Sequence, residues 1–434
     1  MGRSYQRKTR RSRRKVQNLP NQSVTVEVGE GQAAFQMVLP MSPLLSEVAG
    51  AIEETAAQAG LLMMKALIDE EVERIAGTRY GHRADRRATR WGREEGHVIF
   101  CGRKVAMPRP RVRSVEGGEV SLQRYQAFSH PQRLQEAVSQ RVLRRVSTRD
   151  YAGVLDDVCD GYGIQKSSVS RHWKAASGQQ LKALLERPLG DLDLCVLFLD
   201  GKEFHDFTLI VAVGVDRQGH KHVLGLWSGA TENAEVCGAL LDDLIGRGLS
   251  TDKPYLFVLD GAKALKKAVV SRFGSRTLIQ RCRVHKKRNI QKYLPKHYHG
   301  MLSLKLKRAW DMTEYDQALK ELRKVHDWLA SINQAAAASL EEGMEETLTI
   351  NRLGLPAQLR RIFSCTNLIE SCFSRAGDLC RGVKRWRDGN MACRWAATVL
   401  LEAQSRFRRI QAHSQLPQLI NAMVTFLDKQ EAAA

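Results

Sequence analysis

Two short apolar segments of this 434-residue chain each lead directly into an Asp-Gly pair. Residues 195–200 read Cys-Val-Leu-Phe-Leu-Asp, and residues 255–260 read Tyr-Leu-Phe-Val-Leu-Asp. A continuous apolar run of this length predicts a strand buried on both faces. Asp is disfavoured inside strands and costly to bury unpaired, so we expect Asp200 and Asp260 where the two strands end.

Two carboxylates at neighbouring strand ends can bind a divalent metal. Mg²⁺ takes oxygen ligands, and one or two carboxylates together with substrate phosphates make a common site. Two ions held about 3.5–4 Å apart can activate an attacking oxygen and stabilise a leaving oxygen in phosphodiester chemistry. We therefore expect a third carboxylate, carried by a helix, to complete such a site.

Several glutamates could supply this third carboxylate. Glu370 lies in an apolar helical turn, where a carboxylate needs a partner or a metal. Glu232 and Glu235 lie on the helix expected after the first three strands. An acidic cluster, which we expect to form a solvated face, contains Glu341, Glu342, Glu345 and Glu346. Residue types alone leave this choice open.

Three motifs resemble those of the mutator-type transposases of bacterial insertion sequences. They are Leu-Asp-Gly-Ala-Lys at 259–263, Gln-Arg-Cys-Arg-Val-His at 280–285 and Thr-Asn-Leu-Ile-Glu at 366–370. The Leu-Asp pair at 199–200 is similar to the first motif of that family. The resemblance covers most of residues 40–410, and the block that begins at Gln280 is its most specific part.

The resemblance implies an RNase H-like transposase core of the DDE type. Asp200, Asp260 and Glu370 match its acidic triad, which implies Mg²⁺ or Mn²⁺ as the cofactor, with two ions. The implied partner is double-stranded DNA, both the terminal inverted repeats of the element and the target. Because two element ends must be brought together, the resemblance also implies a homo-oligomer.

Cys282 and His285 match the Cys-x2-His motif of the same family. Their spacing is also half of a zinc site. The other half could come from Cys365, Cys372, His297 or His299. We favour a structural or DNA-facing role beside the catalytic strand. The neighbouring basic residues expected to contact phosphates are Arg283, Lys286, Lys287 and Arg288.

The charge of the chain indicates a nucleic-acid partner. There are 68 Lys and Arg against 47 Asp and Glu, which gives a net charge of +21. Residues 1–20 are Arg-rich and expected to be disordered, and they can contact phosphate backbones through side chains that include Arg10, Arg11, Arg13 and Arg14. No apolar stretch reaches the ~18–20 residues of a membrane span. Nine scattered cysteines fit a reducing cytoplasm, here the bacterial cytoplasm near the nucleoid.

A helix, a glycine break and a second helix are expected between residues 147 and 176. Ser147 can cap the first helix, which would continue through Leu155 and Val158, and Ser167 or Ser168 can cap the second. This pattern resembles a helix-turn-helix, whose second helix lies in the major groove. The second helix carries Ser170, Arg171 and Lys174 as candidate DNA contacts. An ordinary helical hairpin is the alternative.

The expected fold class is α/β. It combines an RNase H-like mixed-sheet catalytic core, an all-α insertion, and a mainly α-helical N-terminal DNA-binding region that contains a β-hairpin around Gly102. In order, the expected segments are a disordered basic tail (1–20), the N-terminal DNA-binding region (40–131), the helix-turn-helix-like segment (132–188), the first part of the core (190–285), the all-α insertion (286–360), the second part of the core (361–412) and a C-terminal tail (413–434).

The sequence therefore predicts a DNA transposase that binds insertion-sequence ends and catalyses metal-dependent DNA cleavage and strand transfer. Two other functions remain open on the sequence. One is a domesticated, sequence-specific DNA-binding protein that kept the fold without catalysis. The other is an RNase H-like structure-selective nuclease, which would cut DNA without joining it.

Overall fold

The computed structural model describes residues 23–26, 35–38, 45–81, 87–155, 160–204, 207–229, 234–274, 277–371, 373, 383 and 386–433. The chain divides into two compact units. The first contains Met1–Val98, Val105–Phe128 and Asp156–Gly161, and the second contains Ile99–Lys104, Ser129–Leu155 and Tyr162–Ala434. The basic tail with Arg10, Arg11, Arg13 and Arg14 lies outside the described residues.

The strands, in chain order, are β1 (Ser23–Val26), β2 (Phe35–Val38), β3 (Ala88–Glu94), β4 (His97–Phe100), β5 (Arg103–Ala106), β6 (Arg109–Ser114), β7 (Glu119–Val120), β8 (Leu194–Phe204), β9 (Phe207–Asp216), β10 (Lys221–Gly229), β11 (Tyr255–Leu259) and β12 (Thr277–Arg281).

The α-helices are α1 (Leu45–Ala76), α2 (Gln123–Ser129), α3 (Pro131–Leu143), α4 (Lys166–Glu186), α5 (Ala234–Gly246), α6 (Lys263–Phe273), α7 (Arg283–Gln291), α8 (His299–Asp311), α9 (Tyr315–Ala330), α10 (Gln334–Glu341), α11 (Thr349–Arg352), α12 (Ala357–Phe363), α13 (Gly389–Gln404) and α14 (Leu416–Ala433). Residues 367–371 are also helical.

The first unit combines the long helix α1 with a small antiparallel sheet in the order β3-β6-β7. Ile68, Val72 and Ala76 repeat at helical spacing along α1 and are buried. The buried Glu71 accepts hydrogen bonds from the backbone N–H groups of Gln123 and Arg124, at 3.0 and 2.9 Å. This carboxylate satisfies N–H groups that the first turn of α2 leaves without an intrahelical partner.

Strands β4 and β5 pair in a separate two-stranded sheet. Cys101 and Gly102 connect them, with φ angles of 46° and 78°. Two successive residues with positive φ form the tight turn whose twist matches that of a hairpin, and glycine adopts this conformation without strain.

The second unit is built on a five-stranded mixed sheet in the order β10-β9-β8-β11-β12. Strands β8, β9 and β10 are antiparallel neighbours, whereas β11 and β12 run parallel to β8. Side chains of β8 alternate between two buried clusters, with Val196 and Phe198 in one and Leu197 and Leu199 in the other. The α/β class is therefore confirmed, and the apolar run before Asp200 is a strand buried on both faces.

Different helices cover the two faces of this sheet. The cluster that contains Phe198 also contains residues of α4 and α13, and there the rings of Trp173 and Trp395 lie 4.6 Å apart. The cluster that contains Leu197 includes apolar residues of α5 and α6. Helix α5 connects β10 to β11, as the apolar stripe before residue 247 predicted.

The chain between β12 and residue 367 is helical in every described regular element, from α7 to α12 together with short 3₁₀ turns at Lys296–Tyr298 and Glu345–Leu348. It forms a hydrophobic cluster of its own, to which α8, α9 and α10 contribute Leu306, Leu322 and Leu340. This all-helical segment separates the second and third acidic motifs in sequence.

The expected helix from Ser147 to Val158 is wrong over its described part. Residues 152–154 form a single 3₁₀ turn, and residues 156–159 lie outside the described residues. Ser147 instead closes a local turn, because its Oγ accepts from the N–H of Asp150 and donates to that residue's carboxylate. Ser and Asp side chains favour such turns over helix interiors. The helix before α4 is thus α3, which ends more than twenty residues earlier.

Two further expectations need correction. Helix α4 begins at Lys166 after Gln165, and neither Ser167 nor Ser168 is its N-cap. The expected C-terminal tail after residue 412 contains α14, whose Leu416, Leu419, Met423 and Leu427 are buried at helical spacing.

None of the described helices has the length and apolar character needed to cross a membrane.

Candidate active site

The sheet places Asp200 and Asp260 on adjacent parallel strands. Leu199 of β8 pairs with Leu259 of β11. Each aspartate is the next residue along its strand direction, and neighbouring strands lie about 4.8 Å apart. Asp200 is 2% exposed, and Asp260 is partly exposed. Asp200 lies inside β8, which continues to Phe204 in its pairing with β9, so the expectation that a strand ends there is wrong. The backbone register nevertheless places Asp200 beside Asp260.

The Asp260 carboxylate is held by backbone donors from both Asp-Gly motifs. The N–H of Ala262 donates to Oδ1 at 2.8 Å, and the N–H of Gly201 also donates to this carboxylate. Burial raises the pKa of Asp260, outweighing the opposite effects of these bonds and of the charges on His285 and Arg281. Such a carboxylate is poorly compensated as an anion and gains from a nearby positive charge.

Gly261 has a conformational reason to follow Asp260. Its φ is +105°, and a Cβ there would overlap the guanidinium of Arg281. Only glycine allows the chain to turn from β11 into α6 with Arg281 packed against it. The first Asp-Gly pair differs, because Gly201 lies within β8 and supplies an N–H to Asp260.

Glu370 lies against α7. Its Oε1 is 2.7 Å from NH1 of Arg288 and 3.4 Å from Nε2 of His285. The His285 charge also acts on Asp260, so this imidazole lies within electrostatic reach of both carboxylates. His285, a residue of the Cys-x2-His motif, therefore contacts Glu370 and acts electrostatically on Asp260.

Thr366 connects Cys282 and His285 to the segment that carries Glu370. Its N–H is 3.4 Å from Sγ of Cys282, its Oγ1 is 3.6 Å from the same sulfur, and Oγ1 lies 3.4 Å from Nδ1 of His285. The Thr366 carbonyl accepts from the N–H of Glu370 at 3.2 Å. Cys282 is itself fixed to the sheet, because its N–H donates to the carbonyl of Leu259. These contacts form a continuous path from β11 to Glu370.

Helix α7 presents different residues to different surroundings. His285 and Arg288, three residues apart, face Glu370. Lys287 is partly exposed and Arg288 is exposed, which leaves both accessible to a phosphate. Lys286 has no exposed surface, and its Nζ donates to the carbonyls of Ser339 and Glu342. In this fold Lys286 ties α7 to the insertion, in place of the phosphate contact expected from the sequence.

Among the described His, Cys, Asp and Glu side chains, no group of three or more is arranged to hold a metal ion. Asp200 and Asp260 offer the oxygen donors that Mg²⁺ prefers, on adjacent strands. Glu370 offers the same donor type, but its carboxylate contacts Arg288 and His285 here. The donor set fits a hard divalent cation in kind and in location, with Glu370 turned toward α7.

The possible partners for a zinc half-site lie in different places. Cys365 is buried and lies near Cys282. Burial raises the pKa of the Cys282 thiol, and the nearby Cys365 adds to this effect. His299 contacts the carbonyls of Gln291 and Leu294, and His297 is exposed and stacks on Tyr298. The side chain of Cys372 lies outside the described residues.

Three glutamates of the acidic cluster, Glu341, Glu342 and Glu345, are exposed, as expected of a solvated face, and members of the cluster also form ion pairs. Glu346 pairs with Lys266, and Glu342 lies 3.2 Å from the guanidinium of Arg281. Glu345 pairs with Arg352 at 2.7 Å. Glu346 and Glu342 thus connect the insertion to α6 and β12, whereas Glu345 pairs within the insertion. Glu235 is in the first turn of α5, and Glu232 lies outside the described residues.

The candidate DNA contacts Ser170, Arg171 and Lys174 are exposed on α4. The opposite face of the helix is buried through Val169, Trp173 and Ala176, which repeat at helical spacing. The basic and polar face of α4 is therefore available to a ligand.

Sequence reasoning missed Thr366 and Gln280. Gln280 is fully buried, and its side chain bonds the carbonyl of Thr347 and the N–H of Ile350, which fixes β12 to the end of the insertion. Both residues lie inside the motifs already singled out. A Thr directly before a helix is a recognisable helix-start signal, and a Gln inside an apolar strand signals a buried hydrogen-bond network.

Comparison with known proteins gives a consistent family assignment. A family model described as "Transposase, Mutator family" matches residues 44–409. The transposase for insertion sequence element ISRM5 of Rhizobium meliloti is 26% identical over 324 residues, which cover 71% of this chain and 77% of that protein. The transposase for IS256 in transposon Tn4001 of Staphylococcus aureus is 24% identical, covering 70% and 77%. The transposase for IST2 of Acidithiobacillus ferrooxidans is 30% identical, covering 52% and 78%.

Proposed function

The chain belongs to the Mutator family of transposases, and on that basis we propose that it binds insertion-sequence ends and catalyses metal-dependent DNA cleavage and strand transfer. One observation carries the proposal. Asp200 and Asp260 follow paired residues of parallel strands, and His285 lies within reach of both Asp260 and Glu370. These contacts support a site in which the three carboxylates act together.

In this proposal Asp200, Asp260 and Glu370 hold Mg²⁺ or Mn²⁺, as two ions. Bound there, divalent cations supply charge that activates an oxygen nucleophile and stabilises the leaving oxygen. The N–H groups of Gly201 and Ala262 keep the Asp260 carboxylate at the strand end.

The side chains of α7 have a separate part in this mechanism. His285 and Arg288 both contact Glu370 in the free protein. Arg288 is exposed, so it can leave Glu370 and contact a DNA phosphate when substrate binds.

We infer an RNase H-like fold of the DDE type for the catalytic core. Three antiparallel strands are followed by two that run parallel to the first, and the third acidic residue comes after a helical insertion. This arrangement accounts for why residues so distant in sequence share one site. The helical insertion leaves the sheet intact because it begins and ends beside β12.

DNA recognition is assigned to surfaces away from the acidic residues. The exposed face of α4 is proposed to contact the terminal inverted repeats, and the basic tail at residues 1–20 to add contacts with phosphate backbones. The first unit is proposed to belong to this DNA-binding region. Joining requires two element ends together, so we propose a homo-oligomer that acts on DNA in the bacterial cytoplasm, at the nucleoid.

The test is an assay of cleavage and joining with labelled element-end DNA and Mg²⁺. The wild-type chain should cut the end and join it to target DNA. Asp260→Asn should lose both reactions by orders of magnitude, because the ions lose a charged ligand, while binding to the same DNA persists. Binding without any reaction by the wild type would favour the domesticated DNA-binding protein, and cutting without joining would favour the structure-selective nuclease.

A further inference from the structure

A cavity of about 520 Å³ lies on the side of α7 that faces away from Glu370. It is lined by residues of α7, α8 and α12, and its basic members are Arg283, Lys287, Lys307, Arg360 and Arg361. Arg283 and Lys287 are four residues apart and share one face of α7. Asp311 is the one acidic residue among its described lining residues.

Two of these arginines are buried. Arg283 and Arg360 are each 8% exposed. The Arg283 guanidinium donates to the carbonyls of Thr347 and Trp310 and to the side-chain oxygen of Asn351. Arg360 donates to the carbonyls of Asp311 and Met312 and to the hydroxyl of Thr313. All of these acceptors are neutral.

Among the described residues, neither guanidinium forms an ion pair with a carboxylate, and Nε of Arg360 has no hydrogen-bond partner. Burial, together with the charge of Arg360, lowers the pKa of Arg283 to about 9, and the Asp311 charge only partly opposes this. The guanidinium therefore remains protonated at neutral pH, so two positive charges share a buried region without a bonded anion.

Buried charges are normally paired, because an unpaired charge in a low-dielectric site is costly. A ligand that supplies a negative charge and several acceptor oxygens would compensate both arginines. A phosphodiester does so, and guanidinium groups match its oxygens in geometry. The exposed Lys307 and Arg361 at the rim add charge where the rest of a nucleic acid backbone would continue.

We propose that this cavity binds one phosphodiester of the DNA substrate, with Arg283 and Arg360 at its base and Lys287, Lys307 and Arg361 at its rim. The identity of the ligand as DNA rests on the proposed function. The site is adjacent to the candidate active site, since α7 carries Lys287 toward the cavity and Arg288 toward Glu370. A phosphate bound here would fix the strand relative to the acidic residues.

The positive charge continues beyond the cavity. Ala357 and Arg361 also line a second cavity of about 760 Å³, together with Arg408, Arg409 and His413. A DNA strand whose phosphate is bound between Arg283 and Arg360 could therefore extend along α12 toward residue 409. The described lining residues along this path contain no cluster of carboxylates.

The first test measures binding of the full-length chain to an element-end duplex and to a random duplex over a range of salt concentrations. Lys307→Ala and Arg361→Ala change exposed residues, and Arg360→Gln removes a buried charge. Each should weaken binding to both duplexes equally and reduce the slope of log K against log salt by about 0.9, the value for one phosphate. Because the two rim residues lie where the DNA backbone continues, combining Lys307→Ala with Arg361→Ala should reduce the slope further, by up to about 1.8. Lys320→Ala, an exposed lysine on α9 outside the cavity, is the control and should leave the slope unchanged.

The second test separates DNA from free anions. Sodium phosphate should raise the Tm of the wild-type chain saturably relative to sodium chloride of equal ionic strength, and Arg360→Gln should abolish this rise. Phosphate stabilisation without any change in DNA binding by the variants would overturn the assignment to DNA and leave a site for free phosphate. Absence of both effects would overturn the site itself.

Joining by the wild-type chain, measured in parallel, keeps the two proposals separate. If the wild type joins ends but the cavity variants bind DNA normally, the cavity assignment fails and the function stands. If the variants lose DNA affinity but the wild type never joins, the cavity assignment stands and the function fails.

Discussion

The two halves of the candidate active site are held in place by different forces. Asp200 and Asp260 are positioned by backbone hydrogen bonds between parallel strands, and Asp260 also receives two backbone N–H donors. Glu370 comes after the helical insertion and is positioned by side chains, chiefly Thr366 and His285, and it also pairs with the exposed Arg288. The aspartates are therefore fixed by the fold, whereas Glu370 depends on a few replaceable contacts.

This difference gives the Cys-x2-His motif a physical role. Cys282 is bound to the end of β11 through its backbone and to Thr366 through its sulfur, and His285 contacts both Thr366 and Glu370. Through these contacts the motif attaches the segment that carries Glu370 to the end of β11. Substitutions in the two halves of the site should therefore reduce activity to different extents.

The largest loss of strand transfer is expected at Asp260, whose carboxylate is held by two backbone N–H groups. Asp260→Glu keeps the charge but moves the carboxylate beyond the N–H groups of Gly201 and Ala262. Strand transfer in Mg²⁺ should fall on the order of 10³-fold, comparable to removing a preorganised charge contact. Glu370→Asp should retain more activity, because the segment after Thr366 can shift. Equal losses in the two variants would contradict the contrast between the two halves.

A smaller loss is expected when the positioning contacts are removed. His285→Ala should lower strand transfer about 10–100-fold, the usual effect of losing a residue that orients a metal ligand. The Mg²⁺ concentration needed for half-maximal rate should rise, whereas DNA affinity should not change. A merely structural role would lower the yield of folded protein without moving the Mg²⁺ midpoint.

His297→Ala is the matched control for this variant, since His297 is exposed on the insertion. It should behave like the wild type. Metal analysis of the purified chain should find no stoichiometric zinc. About one zinc per chain, lost in both histidine variants, would replace the positioning role with a structural zinc site and make chelators destabilise the fold.

An effect on recognition is expected from α4, away from both halves of the acidic site. Arg171→Ala should reduce the preference for element ends over random DNA by about 1–3 kcal/mol, the value of one bidentate contact with a base. Lys182→Ala, on an exposed position of the same helix, should leave the preference unchanged. If competition binding shows identical preferences for both variants, α4 serves only to pack against the sheet.

The smallest effect is expected at Arg288. Its pair with Glu370 is partly exposed, and such pairs contribute roughly 0–1 kcal/mol. Arg288→Ala should therefore leave the free energy of unfolding nearly unchanged and should lower the Mg²⁺ midpoint slightly, because Glu370 no longer has to leave a cation. A raised midpoint would show that Arg288 positions Glu370 for the metal.

Local sequence patterns determine the first half of the site. The apolar runs before Asp200 and Asp260 favour buried strands, and the helix α5 supplies the connection that makes β11 parallel to β8. The end of β11 before Asp260 follows from this pattern, whereas β8 continues past Asp200 because its pairing with β9 extends to Phe204.

The second half depends on contacts that no local pattern contains. Motif resemblance, and not periodicity, singled out Glu370, and its partners Cys282 and His285 lie more than eighty residues away. The side-chain contacts of Thr366 become visible only when the insertion has folded back. The same limit explains the error at Ser147, because a serine that starts a helix and a serine that closes a turn make similar local bonds.

The most direct test of the central claim compares Glu370→Gln with Glu346→Gln in the strand-transfer assay. Both glutamates are 22% exposed and paired with a basic side chain, so the substitutions are closely matched. If Glu370 is the third carboxylate of the site, Glu370→Gln should reduce joining by orders of magnitude while binding persists, and Glu346→Gln should join ends nearly as well as the wild type. Normal joining by Glu370→Gln would contradict the account, and loss of joining by Glu346→Gln instead would move the third carboxylate to the insertion.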